Sequence, residues 1–575
     1  MDIEMQSVVG YSSSTATPIG QGASDMKVKE NFVTESIQED DLERGSIDVL
    51  IDEKPSHQMQ RGLKSRHMQL IALGCAIGTG LFIGTGGALS TCGPAPLLIS
   101  YIIMSFFVWT IMHQLTEMVV LTPIPGEASM YALARAYLNR PLSFMCGWNL
   151  FYAQAMIAPS EITASTLLIQ YWTDANSAIF VSIFIVITIA VTALPVKVFG
   201  ESEFWVSMIK LITITGLIIL GVVIFFGGGP NQHHVLGFHY WKHPGAFKPH
   251  ISTGNTGKFL AVWTAIIKSG FAFILSPETL TSCSAEADRP RRNMPRAANR
   301  FVWRLMLFYI GGALVVGVTV GYDNQNLLSA IASGQSNAAA SPFVIGIKEV
   351  GIKVLPHIIN AAILTGAYSA GTAEMYGASR MLHSMALKGN APKIFARVNR
   401  YGVPYYSIIV PSCFCFLAYL NCSNSASQVF TWLTNISTIS GFISWVFVSI
   451  TYVRFRRVID YLDLNDRIKF RKPFQRIFAY FSGCFFVILS LTNGYAVFTK
   501  GNWSVSDFFA NYITIGFVVV LFIMGTAYYK EWRFRDMEEI RSELIPKIDM
   551  ADEEESNEIV IEPTTWYGKL GNVLI

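Results

Sequence analysis

The chain has 575 residues, of which 51% are hydrophobic and only 14% charged, with a net charge of +3 and a mean hydropathy of +0.39. Soluble domains carry about 25% charged residues, so a water-soluble fold is excluded, and the small net charge gives no argument for nucleic acid. Repeated apolar runs of roughly 20 residues place the chain in a bilayer.

Residues 1–67 are polar, rich in Ser, Gln, Asp and Glu, with no secretory signal. Such a composition cannot bury enough surface to fold alone. A disordered cytoplasmic N-terminal arm is expected. A transporter domain follows over 68–529, with about twelve spans near 68–89, 96–121, 142–171, 178–196, 204–226, 259–283, 302–321, 354–384, 404–421, 428–453, 478–498 and 508–529. The loops after spans six, eight and ten, counting Arg380 at the end of span eight, carry eighteen Lys and Arg, and those after spans five, seven and eleven carry six. The richer set is therefore cytoplasmic, and an even span count puts both termini there. Residues 530–575, with the acidic run Asp552-Glu553-Glu554-Glu555, read as a cytoplasmic C-terminal tail.

Span one contains Ile77-Gly78-Thr79-Gly80, and span six contains Phe271-Ala272-Phe273-Ile274-Leu275-Ser276-Pro277-Glu278. Glycines and a Pro-Glu step loosen a helix at mid-span. Interrupted spans in matching positions of two halves point to a transporter's binding site. Unwinding at Ile77, Gly78, Thr79 and Gly80 is expected to expose N–H groups at the positive end of a half-helix, a place for a carboxylate. The plain alternative is small-residue helix packing. Pro277 cannot donate to the Phe273 carbonyl, which is expected to stay free as an acceptor for a substrate amine. Glu278 is an intramembrane carboxylate and so a functional candidate. Phe271 either caps the pocket or is ordinary core, and Lys268 lies within snorkelling reach of an interface.

Span three carries Glu161 and span five Lys210. Either could cycle a proton, as could Glu278; Lys210 could instead be a fixed cation in place of sodium or half of a structural pair. His113 and Glu117, four apart on span two, read as a satisfied buried pair. Span eight has a small-residue face that includes Glu374. Span ten is polar around Asn435 and Ser437, a stretch suited to lining a route. The eight cysteines read as packing residues, with no zinc-type spacing, and no metal or cofactor is expected. No phosphate-binding loop of the Gly-x-x-x-x-Gly-Lys-Ser/Thr type occurs. Coupling must use an ion gradient or exchange, and an enzyme is not expected.

Several stretches are similar to the fungal amino-acid permeases of the amino acid–polyamine–organocation superfamily: Leu63-Lys64-Ser65-Arg66-His67, Ile77-Gly78-Thr79-Gly80-Leu81, Gly200-Glu201-Ser202-Glu203-Phe204-Trp205 and Val354-Leu355-Pro356-His357-Ile358. Phe226-Gly227-Gly228-Gly229-Pro230-Asn231 and Gly237-Phe238-His239-Tyr240-Trp241 resemble the proline-specific branch. The resemblance covers about Arg61 to Arg535. It implies an all-α polytopic fold with a leucine-transporter-type 5+5 inverted repeat and broken helices 1 and 6. It also implies the plasma membrane, proton symport, and a substrate carboxylate held by Gly78, Thr79 and Gly80. Many members have Gly-Thr-Glu where this chain has Ser276-Pro277-Glu278, a departure that favours a ring imino acid. The expected function is import of L-proline or another small neutral amino acid. A broader neutral or basic permease and a non-transporting sensor are the alternatives. The terminal arms suit trafficking or ubiquitin machinery.

Overall fold

A computed structural model describes residues 74, 76–123, 129–284, 289–332, 341–422 and 426–556. The expected N-terminal arm, the start of span one and the last residues of the tail lie outside them. Among the described residues every regular element is helical. A π-helical turn, Gly80–Gly84, leads into α1 (Thr85–Cys92), and Gly93 turns the chain into α2 (Pro94–Leu121). Pro94 opens α2, where its missing N–H has no intrahelical partner to lose. Next come α3 (Met130–Tyr137), α4 (Arg140–Ile169), α5 (Ser177–Thr192) and α6 (Val196–Phe225). The Asn139 side chain caps α4 by accepting from the Leu142 N–H at 2.9 Å. The middle of the chain forms α7 (Gly254–Phe273), α8 (Ser276–Ser284), α9 (Pro290–Thr319), α10 (Gln325–Ala332), α11 (Pro342–Glu349) and α12 (Leu355–Leu387). The last elements are α13 (Tyr405–Cys415), α14 (Ala426–Tyr461), α15 (Gln475–Thr492), α16 (Val505–Tyr529) and α17 (Met537–Ser556).

Eight helices among the described residues are long and apolar enough to cross a membrane, and the protein is an all-α polytopic membrane protein. On α6 and its cap, Val198, Trp205, Ile212, Ile219 and Phe226 recur every seven residues, and all are exposed. That spacing keeps them on one stripe, an apolar outer face suited to lipid. By contrast α4 and α12, which carry Gln154, Glu161, Asn360 and Glu374, are not among the eight. Nearly all of α4 is buried, and it packs along α12 and α14. The acids and amides of these two long helices are therefore buried against protein.

His113 and Glu117 do not pair with each other. His113 meets the Trp109 carbonyl and Asn299. Glu117 accepts from Arg456 of α14 at 3.0 Å and from the Tyr452 hydroxyl at 2.7 Å. The tail carries a helix of its own, and α17 buries Ile540, Leu544, Ile548 and Ala551. Its acidic run is engaged: Arg291, itself buried, pairs with Asp552 and Glu555, and Lys469 with Glu555 at 2.6 Å. Burial works to raise the Asp552 carboxyl, but Arg291 and then Arg467 outweigh it and hold it below the usual carboxylate range. That contribution to docking is present above the ordinary carboxylate pKa and is lost as pH falls through the lowered one.

Arg456→Met strands the Glu117 carboxylate inside the bundle. A lone buried charge costs roughly 3–5 kcal/mol, so thermal unfolding in detergent should shift sharply down. Adding Glu117→Gln should recover much of the loss. Equal stability of the single and double variants would show that the pair does not tie α2 to α14.

Candidate functional site

Helical geometry lapses at Ile77 and Gly78 and resumes at Thr79. Ile77 is fully buried. The Gly78 N–H folds back onto the Ala76 carbonyl at 3.0 Å, so in this conformation it is not waiting for an anion. The Thr79 hydroxyl donates to Glu161 Oε1 at 2.8 Å, and the Thr79 N–H reaches the same carboxyl. The place expected for a substrate carboxylate is therefore occupied by a carboxyl group of the protein itself. A Cβ on Gly78 would lie 3.1 Å from Glu161 Oε1 and 3.4 Å from the Ala370 Cβ. One on Gly80 would lie 2.7 Å from the Ala272 Cα. Gly78 thus faces a side chain that can give way, whereas Gly80 is pressed against the backbone of α7.

The second interruption lies between α7 and α8. Ile274 is extended at ψ 149°, and Leu275 takes φ 61°, a left-handed conformation costing a side-chain-bearing residue about 1–2 kcal/mol. The Thr279 N–H and hydroxyl both return to the Leu275 carbonyl, at 2.9 and 2.8 Å. Pro277 is the second residue of α8, where a helix does not use the N–H. The break therefore precedes the proline. The Phe273 carbonyl, expected to be free, accepts from the Ser276 hydroxyl at 2.7 Å. Glu278 sits in the first turn of α8 and is buried; its own N–H and the Trp445 indole N–H are near its carboxyl group, but neither oxygen makes a hydrogen bond of full geometry among the described residues.

Tyr309 of α9 stitches the two interruptions together. Its hydroxyl lies 2.5 Å from the Ala76 carbonyl and 2.6 Å from the Ala272 carbonyl. One hydroxyl hydrogen serves two acceptors, so only one carbonyl is satisfied at a time. The ring packs on Phe273 and Tyr101, with centroids 4.5 and 5.9 Å away. Lys210 of α6 donates to the Gly74 carbonyl at 2.5 Å and lies 3.8 Å from Glu203, which accepts from Ser369 of α12 at 2.6 Å. Those contacts suit both the structural-pair and the fixed-cation alternatives for Lys210. Glu374 of α12 is buried, has one carboxyl oxygen without a partner, and is within electrostatic reach of Glu278 and Glu161.

The remaining candidates are more peripheral. Phe271 is half-buried and meets Phe430 edge-on at 5.9 Å. Lys268 is exposed and bonds Thr91 and the Gly87 carbonyl of α1, at 2.9 and 3.3 Å. Asn435 is half-buried. Ser437 is fully buried and bonds back to the Leu433 carbonyl at 2.9 Å, which is a packing role. Nothing in an apolar run marks Tyr309 in advance. Glu374 was visible as an acid within a span, but its neighbours were not.

A family model described as amino acid permease matches residues 67–537. The chain belongs to the amino acid permease family. The permease is 45% identical to a proline-specific permease of Emericella nidulans, over 89% of this chain and 92% of the relative. It is 47% identical to a proline-specific permease of Saccharomyces cerevisiae, over 85% and 79%. A probable proline-specific permease of Schizosaccharomyces pombe is 46% identical, over 81% and 84%. The permease is thus a secondary transporter rather than an enzyme. In structure it is similar to a manganese transporter of Eremococcus coleocola, with a TM-score of 0.54 over 85% and 94% of the two chains. At 12% identity that likeness is one of fold alone.

Gly78→Ala and Gly80→Ala should fail differently. Gly78→Ala should reach the cell surface and lose uptake at least tenfold, because the Glu161 carboxyl can shift while the approach closes. Gly80→Ala should be retained inside the cell, because a helix backbone cannot yield. Surface fluorescence and radiolabelled uptake, read together, separate the two; equal delivery of both variants would contradict the contact geometry. Tyr309→Phe keeps the ring and removes the hydroxyl. It should be delivered normally with uptake down about tenfold, one hydrogen bond's worth at the upper end of its range. Unchanged uptake would make the hydroxyl dispensable.

Proposed function

We propose that the permease imports L-proline across the plasma membrane by proton symport, on a leucine-transporter-type 5+5 inverted repeat of about twelve spans with both termini cytoplasmic. In this reading the interruptions at Ile77–Gly78 and Ile274–Leu275 are the broken helices 1 and 6. The observation that carries the proposal is the 2.8 Å hydrogen bond from Thr79 to Glu161. A substrate carboxylate arriving at the same segment meets that carboxyl. Two negative charges a few ångströms apart in a medium of low polarity repel strongly, so the substrate binds well only when Glu161 carries a proton. Proton and amino acid then travel together by electrostatic necessity. Glu278, whose oxygens make no hydrogen bond of full geometry, and the carbonyls around Tyr309 supply acceptors for the amine. Lys210 holds the Gly74 carbonyl as a fixed cation, so the cycle has no need of sodium.

The substrate assignment rests on the proline-specific relatives and on the chemistry at Pro277. A secondary ammonium has two N–H donors where a primary one has three, and fewer acceptors are needed at the break. Pro277→Thr adds a hydroxyl and an N–H. It should weaken proline uptake relative to alanine by about tenfold, within the range for one unpaired polar contact.

Uptake into cells lacking their own permeases is the direct test. Proline should be taken up best, with uptake falling as external pH rises, collapsing with a protonophore and indifferent to sodium. Glu161→Gln should keep proline exchange down a gradient and lose both accumulation and pH dependence. Strict sodium dependence sinks the coupling; a flat ranking across neutral and basic amino acids favours a broad permease; binding without uptake favours a sensor.

A further inference from the structure

A cavity of about 1030 Å³ opens beside the end of α16, between α3, the end of α12 and α17. Seven Lys and Arg residues line it against four acids, so it is net positive. Part of that charge is committed: Arg535 pairs with Glu539 and Glu543 at 2.8 and 2.6 Å, and Arg140 lies 3.7 Å from Glu531. Lys530 and Arg533 are exposed and have no ion pair among the described residues. The cavity belongs to neither interruption, and the proposed transport cycle leaves it unused.

The approach to the cavity is ordered along α16. Val519, Val520, Ile523 and Met524 are exposed apolar side chains. Tyr528 follows, 73% exposed, and Lys530 ends the helix at φ 55°. Trp532 comes next, 80% exposed. Apolar, then aromatic, then cationic is the order met on passing from hydrocarbon to headgroup. By the Lys and Arg bias of the loops this end is cytoplasmic, where anionic lipids concentrate and attract juxtamembrane cations. A free phosphate would use only the cations; the apolar ladder and the indole would have no part in holding it.

We propose that this cavity is a binding site for the headgroup of a phospholipid with net negative charge, of the phosphatidylserine class. Lys530 and Arg533 hold its phosphate and carboxylate, and its acyl chains lie along the outer face of α16. Because the site joins α3, α12, α16 and α17, an occupied site braces the docked tail helix against the bundle.

The test uses the full chain in vesicles of phosphatidylcholine and phosphatidylserine at about four-to-one, carrying a photoactivatable phosphatidylserine, with labelled peptides mapped. Label should concentrate on peptides spanning Leu387–Lys388 and Lys530–Arg535. In native mass spectra of the same chain, the double variant Lys530→Gln/Arg533→Gln should bind phosphatidylserine about thirtyfold more weakly, the change for two cations at an anionic surface. Both side chains are exposed, so folding is not at risk, and Lys500→Gln, an exposed cation at the other end of α16, should change nothing. Even labelling of all lipid-facing helices, equal capture of a phosphatidylcholine probe, or an unaltered double variant overturns the site. Loss of label on adding inorganic phosphate alone assigns the cavity to free phosphate and overturns the lipid.

Discussion

Hydrocarbon offers no partner to a bare N–H or C=O, so each backbone group freed inside the bundle must be met by the protein. The two interruptions obey this constraint through side chains from other helices. Lys210 of α6 meets the Gly74 carbonyl, and Tyr309 of α9 stands between the carbonyls of Ala76 and Ala272. Ser276 meets the Phe273 carbonyl from within its own break. The unwound backbone is therefore held by a few polar bonds between helices, and any rearrangement of the site must exchange them. The shared hydrogen of Tyr309 already leaves one of its two carbonyls to another donor.

The same constraint sorts the helices. A helix facing lipid must be apolar on its outer side, as the seven-residue stripe of α6 is. A helix surrounded by protein is free to carry acids, and α4 and α12 do so with Glu161 and Glu374. Glu278 joins them from the first turn of α8. Glu374 lies within electrostatic reach of both Glu278 and Glu161, so its charge state is tied to theirs. The nearby Lys210 is spent largely on a carbonyl and on Glu203. Acids thus outnumber cations around the two interruptions.

Outside the membrane, charge does different work. Arg291 is buried yet reaches Asp552 and Glu555 across more than two hundred residues of sequence, and the apolar face of α17 packs beneath those pairs. The partners of the acidic run, Arg291 at the start of α9 and Arg467 and Lys469 between α14 and α15, lie far from it in the sequence. Composition describes a segment's own charges; it does not name the charges that will face it.

The chain by itself determined the membrane class and the approximate limits of the apolar helices, which follow from hydropathy along a run of residues. Gly78, Gly80 and the Ser276-Pro277-Glu278 step are local properties too, and they mark segments where unwinding is expected. Motif resemblance carried the family as well. The tertiary structure alone decided which groups meet. It placed Glu161 on Thr79, put Tyr309 between the carbonyls of Ala76 and Ala272, which are far apart in the sequence, and paired Glu117 with Arg456 rather than with its near neighbour His113. It also moved the second break from Pro277 back to Leu275, because a proline early in α8 needs no donor while a left-handed residue before it turns the chain. Contacts between residues separated by about eighty positions or more depend on how helices pack, and no local pattern encodes that packing.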